Sequence, residues 1–260
     1  MPYAQINGQN IHYTDSGGDK PALLFSHGLL MDCSMFDAQV NAFSDTYRCI
    51  AWDERGHGGT GDARENFSYY DSAADAVALL AYLGIKQAVF VGMSQGGYLS
   101  LRAALTAPHA VRAIVLLGSQ ADMDAPEKIP GYQAMVDAWS THGLSEEIGS
   151  TIEHIIGGPS FDGAPWRAKW KKMSATNLHT IFNTLFTRDD LTDRLSQITA
   201  PTLVVHGTDD AAIPLVHAQK AAQGIPGAKL VVIQGGGHAA NMTHAAPVNQ
   251  AIAEFLATLH

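Results

Sequence analysis

Cysteine is nearly absent from these 260 residues: only Cys33 and Cys49 occur. Two cysteines build no disulfide framework, and neither they nor the 12 histidines show the spacing of a metal site. Both read as small buried apolar side chains in a reducing compartment. Long apolar runs are missing as well, none approaching the roughly 18 residues a membrane-spanning helix needs. The opening stretch, MPYAQINGQNIHY, has neither the basic start nor the apolar segment of a secretory signal, so a cytoplasmic location is expected. Basic residues are scarce, 16 against 25 acidic ones, and the formal net charge of −9 argues against nucleic acid or an anionic membrane surface as the main partner. No internal repeat or low-complexity tract is present. These exclusions leave a globular protein whose partner is a small molecule, with 46% hydrophobic residues to fill a large core. Oligomeric state leaves no mark in the sequence.

What is present is an alternation of strands and helices. YAQINGQNIHYTDSG reads as a hairpin around Asn7-Gly8. PALLFSHG and YRCIAWDERGHGGT are apolar strands running into turns, and the helical spacing of YYDSAADAVALLAYLGI stops at Gly84. A strand at Ala88 to Val91, a helix after Ser94 and the strand VRAIVLLGS follow. Strands apolar on both faces and joined by helices predict a mostly parallel sheet covered by helices on both sides. From Gln120 to about Ser196 the rhythm changes to helical stretches with no convincing strand, among them GYQAMVDAWSTHG, EEIGSTIEHIIGG and APWRAKWKKMSATNLHTIFNTLF. The expected organisation is therefore a core of residues 1–119 and 197–260 with an inserted helical cap at 120–196. ITAPTLVVHG resumes the sheet.

Ser94 draws the first chemical reading. It stands between Gly92 and Gly96, after a β-branched run and before a helical pattern. That setting predicts a sharp turn lifting a hydroxyl above the sheet end, with the amides of a helix N-terminus aimed at the same spot. A serine hydroxyl is weakly nucleophilic until a base takes its proton. His238, on a loop after the strand Lys229 to Ile233 and three glycines, is the candidate base; His244 lies nearer the helical tail and reads as a surface or capping residue. A carboxylate is offered by GTDDAAIP, where the adjacent Asp209 and Asp210 follow a buried-type strand. In an extended turn they point to different sides, so only one of them can reach the imidazole.

The residues His27-Gly28-Leu29, DERGHGGT (Asp53 to Thr60), GMSQGG (Gly92 to Gly97), GTDDAAIP (Gly207 to Pro214) and GGGH ending at His238 resemble, in that order, the motifs of the α/β-hydrolase superfamily. The resemblance spans the core, Tyr3 to about Gln120 and Thr199 to the end, and is closest to small carboxylesterases, enol-lactonases and cofactor-free perhydrolases. It implies the α/β-hydrolase fold and a catalytic triad of Ser94, Asp210 and His238, with Asp210 chosen over Asp209 by the family's spacing from Gly207 and to Pro214. It further implies an oxyanion hole made by the backbone N–H groups of Leu29 and Gln95, and no cofactor or metal. His27 and His57 read as turn-shaping residues, and Asp53 and Arg55 as ties on the same loop.

In the cap, WRAKWKK puts Trp166 and Trp170 on one helical face beside four positive charges. One reading makes that face a substrate contact through Trp166; the other, favoured, packs the tryptophans on the core and leaves the lysines solvated. Met123, with Met135, Met173 and Met242, is a second candidate for lining an adaptable pocket. The resulting expectation is a serine hydrolase cleaving a carboxylic ester or lactone through an acyl-enzyme. Short acyl groups should be preferred, since no lipid-facing lid is visible. The alternatives are perhydrolase or haloperoxidase-like chemistry on the same triad, and a ligand receptor that keeps the fold and turns over once per chain.

Overall fold

The computed structural model describes residues 2–158 and 161–259; Met1, Pro159, Ser160 and His260, which fall within the expected core and cap limits, lie outside the described residues. Eight strands, β1 (Tyr3–Ile6), β2 (Gln9–Asp15), β3 (Ala22–Ser26), β4 (Arg48–Trp52), β5 (Ala88–Met93), β6 (Val111–Leu117), β7 (Thr202–Gly207) and β8 (Lys229–Ile233), form one sheet in the order β1-β2-β4-β3-β5-β6-β7-β8. The hairpin β1–β2 and its junction with β4 are antiparallel, and every later pair is parallel. Asn7 and Gly8, both at positive φ, make the hairpin turn that the Asn-Gly pair predicts.

Helices α1 (Asp37–Phe43), α2 (Tyr69–Tyr82) and α3 (Gln95–Thr106) accompany the first six strands. Four more, α4 (Ile129–His142), α5 (Glu146–Gly157), α6 (Ala164–Trp170) and α7 (Ala175–Phe186), stand between β6 and β7, and α8 (Leu215–Gly224), α9 (Ala240–Thr243) and α10 (Ala245–Leu256) complete the chain. The central strands look uniformly apolar because both sheet faces are covered. Leu23, Phe25, Val89, Val91, Leu203 and Val205 point toward α1, α10 and the inserted helices; Leu24, Ile50, Phe90, Ile114 and Val204 alternate with them and point toward α2, α3 and α8. Among the described residues no helix is long and apolar enough to cross a membrane.

One helical stretch between β6 and β7 differs from its sequence reading. Residues 164–186, which carry a continuous helical pattern, break into α6 and α7 because the Ser174 hydroxyl accepts the Asn177 N–H (3.1 Å) and caps a new helix. The residues singled out as candidates for chemistry sit on loops at the carboxyl ends of the parallel strands: Leu29 after β3, Ser94 after β5, Asp210 after β7 and His238 after β8. That end of an open α/β sheet is where ligands bind.

Candidate active site

Ser94 joins β5 to α3 at φ 51° and ψ −112°. Holding a non-glycine residue there costs on the order of 1–3 kcal/mol, so the surroundings must enforce it. They do so by main-chain crowding: a Cβ on Gly92 would lie 2.1 Å from the Gly96 carbonyl oxygen, and one on Gly96 would lie 1.9 Å from that of Ser26. The Ser94 N–H donates to the Leu117 carbonyl (2.9 Å), and the Ser94 carbonyl accepts from the Gly97 N–H (2.9 Å) and the Ser119 hydroxyl (2.9 Å). With its backbone fully engaged, the residue presents its side chain to a cavity at the sheet end.

His238 lines the same cavity and donates through Nδ1 to Asp210 Oδ2 (2.9 Å). That bond fixes the tautomer and leaves the lone pair on Nε2. The other oxygen of Asp210 accepts the N–H groups of Ala212 (2.9 Å) and Ile213 (2.8 Å). Burial pushes the Asp210 carboxyl pKa upward, but His238, the Ile213 amide and His206 outweigh it and hold the group below the usual carboxylate range. His206, buried at the end of β7, places Nε2 3.3 Å from Asp210 Oδ2 while donating to the Ile213 carbonyl (2.7 Å). A histidine ending an apolar strand carries no local signal of this role. Asp209 is exposed, accepts from the Thr208 hydroxyl (2.8 Å) and donates its N–H to Gly236. His244 occupies the N-cap position of α10 without a side-chain cap, and its Nδ1 lies 3.0 Å from the Thr243 hydroxyl, away from the cavity.

The cavity encloses about 100 Å³, several-fold less than the roughly 300–1,000 Å³ usual for ligand pockets. Leu29, Leu30, Met31, Ile152, Phe182 and Ile213 make its wall largely apolar, and Tyr98, Asp124 and Tyr132 are its polar points. Asp124 is already paired with Arg188 (2.9 Å). Tyr132, Met135 and Ile155 also line a larger groove of about 810 Å³ between α4 and α5, and so stand as a partition between the two spaces. Gln95 is the first residue of α3, so its N–H is one of the helix's unpaired initial amides.

Neither Trp166 nor Met123 lines this cavity. Trp166 is 5% exposed within the core, with the Lys169 ammonium 4.1 Å from its ring centre, and Trp170 donates through Nε1 to the Leu30 carbonyl (2.7 Å). The tryptophan face packs, as the favoured reading had it. Of the four charges beside it, Arg167 pairs with Glu146 and Glu153 and Lys169 with Asp32 (2.7 Å), while Lys171 and Lys172 are exposed, as that reading had the lysines. Of the four methionines weighed, Met135 alone reaches the cavity, joined there by Met31 and Met93.

A family profile described as alpha/beta hydrolase fold matches residues 21–245. The chain belongs to that family. Over 98% of its length this hydrolase is 29% identical to a non-heme haloperoxidase of Rhodococcus erythropolis, covering 99% of that protein. It is 25% identical to 3-oxoadipate enol-lactonase 2 of Acinetobacter baylyi, covering 93% of this chain and 91% of that one. A solved thermophilic esterase from Thermogutta terrifontis superposes with a TM-score of 0.88 at 26% identity, covering 99% and 98% of the two chains.

The hydrolase also gathers His12, Cys33 and Asp53, whose potential ligand atoms lie within 4.8 Å of one another. Their chemistry does not fit a metal centre. Asp53 spends Oδ1 on the Cys33 N–H (2.7 Å) and Oδ2 on His12 Nδ1 (2.6 Å) and the Gly59 N–H (2.7 Å). Burial and the neighbouring Asp53 carboxylate raise the Cys33 pKa, which keeps the thiol protonated. Asp53 thus ties the glycine-rich turn to β2. Arg55, the other expected tie, holds the same loop to α2, where its Nε and Nη2 grip Asp75 (2.7 and 2.8 Å). His57 is buried, donates through Nδ1 to the Arg55 carbonyl (3.1 Å), and has its pKa pushed down to about 3 by burial and by His27.

Proposed function

We propose that this protein is a cofactor-free serine hydrolase that cleaves a carboxylic ester or lactone of small acyl size. The observation that carries the reading is the shared cavity: Ser94, in a turn that backbone crowding enforces, opens on the same small apolar space as His238, whose other nitrogen is bonded to a buried, ionised Asp210. Ser94 Oγ attacks the carbonyl carbon as His238 Nε2 takes its proton, and Asp210 stabilises the imidazolium. The Leu29 and Gln95 amides receive the negative oxygen; donors built into the backbone need no reorganisation as charge develops. Collapse of the intermediate breaks the bond to the alcohol oxygen, which leaves with the proton from His238, and water repeats the cycle on the acyl-enzyme.

The small cavity supports a preference for short acyl groups. Two unbridged, buried cysteines fit a reducing, cytoplasmic setting. The likeness to a haloperoxidase supports a second reading, in which hydrogen peroxide replaces water as acyl acceptor on the same residues. The test is a panel of p-nitrophenyl esters of rising chain length and several lactones, with and without peroxide, together with a fluorophosphonate probe. One adduct per chain is expected, absent in Ser94→Ala, with many turnovers per chain. Labelling that survives this substitution removes Ser94 from the role, and a single slow hydrolysis per chain converts the enzyme into a receptor.

A further inference from the structure

Glu54 lies in the DERGHGGT turn, is 2% exposed and takes no part in the chemistry above. Its carboxyl Oε2 accepts a 2.6 Å hydrogen bond from Gln95 Nε2, and the Tyr69 hydroxyl donates to Gln95 Oε1 (3.3 Å), so the Gln95 side chain is held at both ends. Gln95 is the residue whose main-chain N–H opens α3 beneath Ser94. The Glu54 N–H meanwhile donates to His27 Nε2 (3.0 Å), and His27 Nδ1 donates to the Gly28 carbonyl (2.8 Å). That carbonyl shares a planar trans peptide with the Leu29 N–H, so fixing one aims the other in the opposite direction. A single buried residue therefore adjoins both amides read as oxyanion donors.

Among the described residues no cation forms an ion pair with the Glu54 carboxyl. Arg55, the nearest cation in sequence, is spent on Asp75. Burial dominates and pushes the Glu54 pKa up to about 8, aided by Asp75 and opposed by the Ser72 hydroxyl, Arg55 and Gln95. Near neutral pH the group is a neutral acid. The remaining titratable neighbours do not titrate in that range: burial raises Tyr69 well above its ordinary value and lowers His27.

We propose that Glu54 is a positioning residue for the hydrolytic reaction, its carboxyl holding Gln95 so that the first amide of α3 stays aimed at the oxyanion. This rests on the reading of the Leu29 and Gln95 amides as the oxyanion donors. Glutamine at position 54 keeps an acceptor for Gln95 but cannot ionise, whereas leucine removes the acceptor.

The experiment measures kcat and KM for p-nitrophenyl acetate from about pH 6 to pH 10 with wild type, Glu54→Gln and Glu54→Leu, at matched folded fraction, alongside fluorophosphonate labelling. Misplacing an oxyanion donor predicts a loss in kcat of at least about tenfold in Glu54→Leu with KM within about twofold, and recovery in Glu54→Gln to within about threefold. If Glu54→Leu does not fold, Gln95→Ala, which removes the held side chain instead of its holder, should show the same loss in kcat at unchanged KM. A Glu54→Leu enzyme, or in its place a Gln95→Ala enzyme, with wild-type kcat, or a Glu54→Gln enzyme as impaired as Glu54→Leu, overturns the proposal. Unchanged Ser94 labelling with either result retires Glu54 only; loss of Ser94 dependence retires the hydrolase mechanism beneath it.

Discussion

Glu54→Gln should change the pH dependence of stability by an amount that can be worked out in advance. The glutamate proton is bound at about 8 in the folded protein and at 4.5 in an exposed chain. A raised folded value means the proton's contribution to stability is complete below 4.5 and is lost as pH climbs toward 8. At about 1.36 kcal/mol per unit, the whole window amounts to about 5 kcal/mol, of which about 3 kcal/mol falls between pH 5.5 and pH 8. Glutamine has no such titration. Its extra amide donor, if left without an acceptor, costs about 1–3 kcal/mol, but that cost is the same at every pH. Urea unfolding of both proteins at about pH 5.5 and pH 8 isolates the effect: wild type should lose about 3 kcal/mol more than the variant over that interval. Two stability curves running parallel would mean that Glu54 is ionised throughout or is not buried in solution, and the reasoning would fail at its first step.

Asp210→Asn should reduce turnover on the order of ten-thousand-fold in a folded protein, by stranding the imidazole in the wrong tautomer, whereas Asp209→Asn, at an exposed position bonded to Thr208, should leave turnover within about threefold. Steady-state kinetics with circular dichroism as the folding control checks the pair, and the reverse ranking would move the role to Asp209. Ile155→Ala should open the partition between the cavity and the α4–α5 groove, shifting ester preference toward acyl chains several carbons longer; an unchanged chain-length profile would show that the two spaces do not communicate.

The parts of this molecule legible from its sequence are those encoded locally. The Asn7-Gly8 turn, the two-sided apolar strands and the glycines around Ser94 each carry their reason within a few residues, and so the sheet and the strand-end placement of Ser94, Asp210 and His238 followed. The contacts that lie across the chain did not. Glu54 and Gln95 are 41 positions apart, and nothing local marks their bond. The cavity wall is drawn from apolar helical residues such as Ile152, Ile155 and Phe182, whose spacing equally suits core packing. Trp166 drew notice because it is large and flanked by charge, yet those features serve packing against the core and ion pairs within the insertion. The Ser174 cap was written in the sequence but was hidden inside a helical pattern that continues on both sides.

The contact between Gly96 and the end of β3 reaches beyond catalysis. Where main chain lies directly on main chain, no side-chain exchange can adjust the fit, so the location of Ser94 is indifferent to what the segment between β6 and β7 becomes. Diversification has an obvious outlet: shuffle, lengthen or replace that segment and the Ser94 hydroxyl stays put while the space above it changes. The same rigidity has a converse. One methyl group added at position 96 has nowhere to go, and a mutational library that spares the insertion but samples that glycine should return almost nothing active.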